Sequence, residues 1–501
     1  MALNIPGVAV MMLFYLLVLG TGIWASVKSK KEAKKTQGDK TEMALLGNRG
    51  INLVVGIFTM TATWVGGGFI VGTAEAVYNP SMGLIWAVMP ITATLCFIVG
   101  VTMSVILDLS YTVSIWISAA VAITYTLLGG LYSVAYTDII QLILIFISLW
   151  LCVPFALMSP AVLDITETAF NRTFQSPWVG SLEPERAWRW IDNFLLLGLG
   201  NLGLQNFHQR TLSAASSETA KITCFAAAFI VPTLGIPPIL LGAAAASTNW
   251  NLTTYGSPSP FERGETGLIL PLVLQHLTPT YISIIGIGAV AAAVMSSTDS
   301  ALLSAASIFT SNIYKNILRT QASEQEIQWV IRLSVIVVGL AGTSLTFLDN
   351  SVLMIWLLRS DLTYTLMLPQ LVCVLFFNVS NGYGAVLGCA TGILLRVLCG
   401  EPLLGIPAFI HFPGGTWENG FYIQHMPIRT ICMLSAAVSI LFFSYLASVL
   451  YKKGLIPEKW DVFNVQAQYS ADGHKAVTTD YNLNDQTEES EVCELKLESK
   501  L

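Results

Sequence analysis

The sequence predicts an all-α membrane protein with about twelve transmembrane helices, because of its composition and its recurring apolar runs. Of its 501 residues, 54% are hydrophobic and only 11% are charged, whereas soluble globular proteins carry about 25% charged residues. Apolar runs of about 18 residues or more recur along the chain, and a helix of that length crosses the bilayer core. The net charge of −6 comes mostly from the end of the chain, so it does not indicate a nucleic-acid partner.

The apolar runs divide the chain into a multi-span domain at 1–453 and a polar tail at 454–501. The predicted spans are 6–27, 50–72, 82–107, 111–131, 134–157, 190–208, 222–246, 281–311, 327–348, 351–377, 383–400 and 429–451. Lysines follow the first run, which indicates a retained span that ends in the cytoplasm rather than a cleaved signal peptide. The tail is acidic and aperiodic, so we expect it to be disordered in the cytoplasm.

Basic loops and glycosylation sequons predict on which side of the membrane each loop lies. Loops rich in Lys and Arg favour the cytoplasm, and the sequons at Asn171 and Asn251 are expected to lie outside and to be glycosylated. The basic segments are 28–49, Arg210–Lys221, Lys315–Arg319 and Lys452–Lys453. Five predicted spans separate the first basic loop from Arg210, where an even number is required. One span is therefore missing or doubled, and the junction near 100–111 is unusually short.

The second span contains three adjacent glycines, Gly66 to Gly68. Each glycine costs a helix interior about 0.8–1 kcal/mol relative to alanine, and an unwound backbone survives in lipid only where protein or a cavity covers it. Broken helices whose free carbonyl groups hold Na⁺ are typical of carriers built from inverted repeats. The alternative is a continuous helix that packs closely against a neighbour through its small residues.

Two other spans carry acidic side chains that need a partner in the membrane. The eighth span contains Ser296-Ser-Thr-Asp-Ser300, where hydroxyl and carboxylate oxygens suit an alkali cation. Asp299 would cost roughly 2.5–3.5 kcal/mol at the bilayer centre without a partner, and a bound cation would supply one; helix packing is the alternative role for the serines. Asp138 follows Gly129-Gly130 and could equally cap a helix start.

The sequence offers no sign of enzymatic chemistry. The eight cysteines stand singly, mostly in apolar runs, and the five histidines lack metal-ligand spacing. No phosphate-binding loop, nucleophile elbow or pair of catalytic carboxylates is present. We therefore expect neither an enzyme nor an ATP-driven pump, no cofactor, and no metal other than sodium.

Several segments together resemble the sodium–solute symporter family and, within it, the high-affinity choline transporters. The matching segments are Thr59–Gly68, Gly72–Tyr78, Tyr125–Asp138, Ala292–Ser297, Ser360–Asp361, Pro369–Leu375 and Trp460–Phe463. The resemblance implies a leucine-transporter-like fold of two inverted five-helix repeats, with an extra N-terminal helix and two extra C-terminal helices. It also implies thirteen spans rather than twelve, because the third helix of the first repeat appears absent here near 100–101.

The resemblance further implies where Na⁺ and the solute bind. The main sodium site would use the backbone carbonyls of Ala62, Val65 and Ala293 with the hydroxyls of Ser296 and Ser297. A second sodium site would use Asp138, Asp299 and Ser300. Trp64 would form one wall of an aromatic cage, since a quaternary ammonium is bound by aromatic faces.

The cage is incomplete in this sequence. Leu204 stands where the family has a tryptophan, His208 replaces an aromatic residue, and the wall from the missing helix is gone.

We therefore expect Na⁺-coupled, chloride-dependent choline uptake across the plasma membrane by alternating access. By resemblance, the location extends to presynaptic membranes and synaptic vesicles, and self-association into a homo-oligomer is left open. Two alternatives remain: a sodium symporter for another small organic solute, and a truncated isoform that does not transport and is retained or associates with full-length carriers.

Overall fold

The structure is a computed structural model that describes residues 16, 20–25, 27, 50–87, 111–345, 351–418, 420–463 and 465, with the backbone alone for 111–130, 132–133, 345, 418 and 458. Most of the predicted first span, the junction near 100–101 and the tail beyond residue 465 lie outside the described residues. Contacts divide the chain into unit 1, residues 1–363 and 400–427, and unit 2, residues 364–399 and 428–501.

The described residues are mainly helical. The principal helices are α1 Leu53–Trp64, α2 Gly67–Tyr78, α3 Tyr111–Leu157, α4 Ala187–Leu199, α5 Gln205–Ser213, α6 Ser217–Ala246, α7 Thr280–Ile308, α8 Glu324–Leu345, α9 Val352–Leu362, α10 Leu368–Phe376, α11 Gly382–Leu398 and α12 Ile428–Lys452. Shorter helices are Leu84–Ala87, Ile165–Thr168 and Ile269–His276, π-helical turns lie at Phe309–Leu318 and Thr363–Met367, and one hairpin pairs β1 Thr416–Glu418 with β2 Phe421–Ile423. Within the described part of the chain, five helices are long and apolar enough to cross a membrane, or six with α1 and α2 taken as one broken span.

The second span is broken at the glycine cluster. The Asn52 side chain caps α1 by accepting a hydrogen bond from the Val55 N–H. The helix ends at Trp64, Val65 and Gly66 leave helical geometry, and α2 resumes at an angle of 44°. The predicted unwinding is thus confirmed, and a continuous, closely packed helix is excluded at this position.

Helix α3 differs from the prediction of two spans at 111–131 and 134–157. It runs without a break for 47 residues, a length of about 70 Å at 1.5 Å per residue. The predicted separation of the two spans is therefore wrong, although Val134–Leu157 is by itself long and apolar enough to cross a membrane. The alternative of Asp138 as a helix cap is wrong as well, because Asp138 lies far inside α3. A helix satisfies its own backbone hydrogen bonds, which favours continuity in lipid even across Gly129-Gly130.

The predicted span at 190–208 is divided, although we expected one helix. Helix α4 ends at Leu199, a 3₁₀ turn covers Gly200–Gly203, and Leu204 has an extended backbone before α5 begins. The predicted span at 351–377 is likewise divided, by the π-helical turn between α9 and α10. The interruption between α4 and α5 therefore lets α5 enter the interior of unit 1.

Helix α7 forms the buried centre of unit 1. Its residues from Ala289 to Ser300 are all buried, and it packs against α1, α2, α3, α5 and α8. Small residues allow close approach of the neighbouring helices: a Cβ added at Gly242 of α6 would lie 2.7 Å from the Ala74 carbonyl oxygen of α2. Polar groups on α7 are consequently shielded from water on all sides.

Unit 2 consists mainly of α10, α11 and α12. Gly384 and Gly388 of α11 leave room for Ser444 and Ile440 of α12. The Asn381 side chain caps α11 and donates to the Ser444 carbonyl (2.9 Å). Through these contacts α11 and α12 form a closely packed antiparallel pair within this unit.

Two loops of unit 1 that carry the sequons are hydrogen-bonded to each other. The Leu163 N–H donates to the Ser247 carbonyl (2.9 Å), and the Asn249 N–H donates to the Ala161 carbonyl (2.9 Å). Asn171 and Asn251 are both exposed in these loops. Both sequons thus lie at the same end of unit 1, as glycosylation of both would require and as the two predicted spans between them, 190–208 and 222–246, imply.

Candidate cation and solute site

The break between α1 and α2 faces the serine pair of α7. The Ser296 hydroxyl donates to the Ala62 carbonyl (3.1 Å) and lies 3.4 Å from the Ala293 carbonyl. The Ser297 hydroxyl lies 3.3 Å from the same Ala293 oxygen. Val65, the residue at the break, is fully buried one helical turn after Ala62. The structure therefore brings together four of the five residues predicted for the main sodium site, Ala62, Ala293, Ser296 and Ser297, which we call the serine site.

The chemistry of the serine site suits a small hard cation. Its groups are neutral oxygens, two hydroxyls and backbone carbonyls, all buried on α1 and α7. Carbonyl groups freed by an unwound helix are the groups that carriers use to coordinate Na⁺. An alkali cation there would be coordinated by the same oxygens, which in the structure are hydrogen-bonded to one another.

Asp138 and Ser300, two residues predicted for the second sodium site, surround an arginine side chain. The Arg210 Nη2 atom lies 3.1 Å from Asp138 Oδ2 and 2.7 Å from the Ser300 hydroxyl, to which it donates. Arg210 Nε also donates to the Thr63 hydroxyl of α1 (3.1 Å). We call this group the arginine site. The prediction that Arg210 belongs to a cytoplasmic basic loop is wrong, because its side chain is buried in the core.

Asp299 adds a second carboxylate to the arginine site. It is fully buried, and its charge acts on the Arg210 guanidinium together with that of Asp138. A buried carboxylate is tolerated when an opposite charge compensates it. For Asp138 this compensation comes from the protein itself.

Two aromatic residues lie together beside the break between α1 and α2. The Trp64 ring lies 5.8 Å from the Phe207 ring, centroid to centroid, at an interplanar angle of 56°. Both side chains are only half-buried. His208 packs edge-on against Phe207 (5.4 Å) and donates from Nε2 to the Leu202 carbonyl (2.7 Å). Phe207 therefore stands beside Trp64, although the sequence analysis had assigned it no role.

Residues 99–392 match the sodium:solute symporter family model. The chain belongs to the sodium:solute symporter family. This symporter is 43% identical to the high-affinity choline transporter 1 of Torpedo marmorata, over 92% of this chain and 89% of that protein. It is also 43% identical to the high affinity choline transporter 1 of Homo sapiens, over 94% of this chain and 90% of that protein. The chain is thus a transporter rather than an enzyme.

A solved structure supports the fold of this symporter. A Na⁺-coupled sialic acid symporter in its outward-open state superposes with a TM-score of 0.60 at 19% identity, covering 88% of this chain and 98% of that one. The likeness shows a helical membrane transporter fold.

The alignment with the human relative contains positions that this symporter lacks. It extends over 524 positions, which is more than the 501 residues of this chain. The missing segment itself stays a prediction. The predicted position of that segment, near 100–101, lies outside the described residues.

Two signals in the sequence could have revealed the residues that were missed. Arg210 lies close behind an apolar run that carries its own buried acid, Asp192, so a helix rather than a loop was an available interpretation. Phe207 lies three residues before Arg210, and this spacing places both on neighbouring turns of one short helix. The buried acid Glu75, by contrast, has a structural role, because it accepts from the Ser351 hydroxyl (2.6 Å) and the Leu353 N–H (3.1 Å) at the start of α9.

Proposed function

We propose that this symporter takes up choline across the plasma membrane by coupling it to Na⁺ through alternating access. The observation that carries the proposal is the serine site, where the break between α1 and α2 meets Ser296 and Ser297. The choline transporters named above support the choice of solute, since they are 43% identical to this chain over the aligned regions.

Sodium at the serine site would link ion binding to the movement of helices. The site takes its oxygens from α1 and α7, so Na⁺ holds the two helices together and its release lets them separate. Each Na⁺ that enters down a potential of 100 mV supplies about 2.3 kcal/mol. That free energy, with the concentration gradient, drives the accumulation of the solute.

The wider features of the proposal follow the resemblance of the sequence to its family. The carrier domain is 1–453, built as two inverted repeats with one extra helix before them and two after, and 454–501 is its cytoplasmic tail. Chloride is a further requirement for transport, Asn171 and Asn251 are glycosylated outside, and the presynaptic membrane and synaptic vesicles are the sites of action. The exposure of both sequons at one end of unit 1 supports this orientation.

Choline would bind against Trp64 and Phe207. A quaternary ammonium cannot donate a hydrogen bond, so it is recognised through aromatic faces worth about 0.5–2 kcal/mol each. The two rings are half-buried and their centroids lie 5.8 Å apart, so one bound solute would be within reach of both. Phe207 thereby compensates in part for Leu204.

A second candidate function is Na⁺ symport of a different small organic solute. The observation in its favour is Leu204, an aliphatic residue at the break between α4 and α5, which offers no aromatic face to a quaternary ammonium. The positions absent relative to the human protein favour a third candidate, an isoform that does not transport.

Uptake of radiolabelled choline into cells that express this chain distinguishes the three candidate functions. We expect saturable uptake that disappears when Li⁺ or K⁺ replaces Na⁺ and falls when gluconate replaces Cl⁻. Surface biotinylation provides the control for delivery to the plasma membrane. Normal surface delivery without choline uptake, but with Na⁺-dependent entry of another amine or amino acid, would establish the second candidate. Retention inside the cell would establish the third.

A further inference from the structure

The arginine site is a buried cation site whose cation belongs to the protein. Arg210 donates to oxygens on three different helices: Thr63 on α1, Asp138 on α3 and Ser300 on α7. A carboxylate and two hydroxyls at distances of 2.7 to 3.1 Å are the kind of groups that a free sodium ion would also use. The Arg210 guanidinium occupies the space between these oxygens.

The arginine site and the serine site are directly connected. Ser300 lies one helical turn beyond Ser296, and its hydroxyl donates to the Ser296 carbonyl (3.0 Å) while it accepts from Arg210. Thr63 follows Ala62, whose carbonyl accepts from Ser296. A cation at the serine site would thus lie roughly one helical turn, about 6 Å, from the guanidinium. Two positive charges at that distance in a dry interior repel each other strongly.

The oxygens of the arginine site already bind a cation. Arg210 and Asp138 carry opposite charges, with Nη2 and Oδ2 3.1 Å apart, so the pair as a whole is neutral and a Na⁺ at the serine site meets no net positive charge. A second Na⁺ among the oxygens that bind the guanidinium would add an uncompensated positive charge to the core, which is costly.

A purely structural ion pair would be expected to satisfy all its polar atoms. Asp138 Oδ1 and Arg210 Nη1 are buried and find no hydrogen-bond partner among the described residues. A buried pair of this kind contributes little net stability. Because the pair lies beside the serine site, we assign it a functional role instead.

Resting on the proposed function, we infer that Arg210 occupies the second cation position permanently, so that this symporter binds one Na⁺, at the serine site, rather than the two that the family resemblance implied. Arg210 is a positioning residue: it joins α1, α3 and α7 beside the ion. It lies on α5 three residues after Phe207, so the same short helix carries a wall of the solute site and the resident cation.

The inference is tested by counting Na⁺ without using choline. The purified full-length chain is titrated with ²²Na⁺ in a scintillation proximity assay, and bound ion per chain is measured at saturation. The wild type is expected to bind one Na⁺. Arg210→Gln vacates the second position and is expected to double the bound Na⁺, whereas Arg210→Lys keeps the charge and the count of one. Arg332→Gln, at an exposed arginine of α8, is the control and leaves the count unchanged.

Asp138→Asn keeps the test decisive if Arg210→Gln fails to fold. With Arg210 as the resident cation, Asp138→Asn still binds one Na⁺, but its half-saturating concentration rises roughly fivefold or more, the scale of coupling between neighbouring sites. Two Na⁺ in the wild type and one in Asp138→Asn would overturn the inference, because Asp138 would then be a sodium ligand. An unchanged count of one in a folded Arg210→Gln would also overturn it.

Failure of the inference is distinguishable from failure of the proposed function. If choline uptake is absent but the numbers of bound Na⁺ are as expected, only the proposed solute is wrong. Na⁺-dependent choline uptake with two bound Na⁺ removes only the role assigned to Arg210.

Discussion

The serine site and the arginine site both use residues of α1 and α7, but they stabilise a buried cation with different ligands. The serine site offers only neutral oxygens, from Ala62, Ala293 and two serines, so an ion can enter and leave it. The arginine site offers a carboxylate, Asp138, and holds a cation that is covalently attached. Neutral ligands suit an exchangeable ion and a full charge suits a resident one, because release from a carboxylate in a dry interior is costly.

This difference assigns different consequences to mutations in the two sites. Damage to the serine site should abolish coupling to Na⁺ and leave the fold intact. Damage to the arginine site should change the number of bound ions. Changes in the aromatic pair should affect the solute and leave Na⁺ binding nearly unchanged.

The largest effect is expected for Ser296→Ala. The substitution removes a hydroxyl ligand, and a hydrogen bond or contact to a charged group is worth about 1.5–3 kcal/mol. The half-saturating Na⁺ concentration should therefore rise roughly 10- to 150-fold, and uptake at physiological Na⁺ should nearly vanish. The measurement is choline uptake against Na⁺ concentration. Ser307→Ala, at another buried serine of α7, is the matched control; equal losses in both variants would contradict a specific role for Ser296.

Trp64→Leu should have the next largest effect, on choline rather than on Na⁺. Loss of one aromatic face removes about 0.5–2 kcal/mol, which corresponds to roughly a 2- to 30-fold rise in the KM for choline. Trp64→Phe keeps a face and should be milder. Initial rates at saturating Na⁺ measure the KM, and ²²Na⁺ binding provides the control. A Trp64→Leu variant with the wild-type KM would remove Trp64 from the solute site.

Phe207→Leu should raise the KM for choline less than Trp64→Leu does. Phenylalanine has a weaker electrostatic attraction for cations than tryptophan, so about twofold to fivefold is expected. Phe207→Tyr keeps the aromatic face and serves as the matched variant, with a KM close to that of the wild type. If Phe207→Leu changed the Na⁺ count instead of the KM, α5 would belong to the ion site alone.

Asn251→Gln and Asn171→Gln should leave both cation sites unaffected. Each asparagine is exposed in a loop at the same end of unit 1, so each single variant should lose one glycan and the double variant both. Gel mobility with and without glycosidase measures this, and uptake per surface molecule should remain close to that of the wild type. A glycan on only one of the two would place the loops on different sides and contradict the structure.

Local signals in the sequence indicated the helix break and the oxygen-rich end of the serine motif. Three adjacent glycines disfavour a helix by their intrinsic cost, and Ser296 and Ser297 stand together on one apolar span. The pairing of these two segments into one site, with the carbonyls of Ala62, Val65 and Ala293, was implied only by the family resemblance. The structure then supplied the distance that joins α1 to α7.

The arginine site was inaccessible to the same reasoning because it depends on three distant segments. Rules for membrane orientation count any arginine near the end of a span as part of a loop, so Arg210 was used to orient the chain. Its partner Asp138 was weighed as a helix cap because two glycines precede it. Long-range pairing in the fold overrode both local signals, as it did for the unbroken helix α3.

The ratio of Na⁺ to choline transported tests the central account most directly. The purified chain is reconstituted into proteoliposomes, and initial influx of ²²Na⁺ and of ³H-choline is measured in parallel under a sodium gradient. An exchangeable serine site beside a resident arginine predicts one Na⁺ for each choline. A ratio of two Na⁺ for each choline would contradict the account, because the arginine site would then exchange its cation as well.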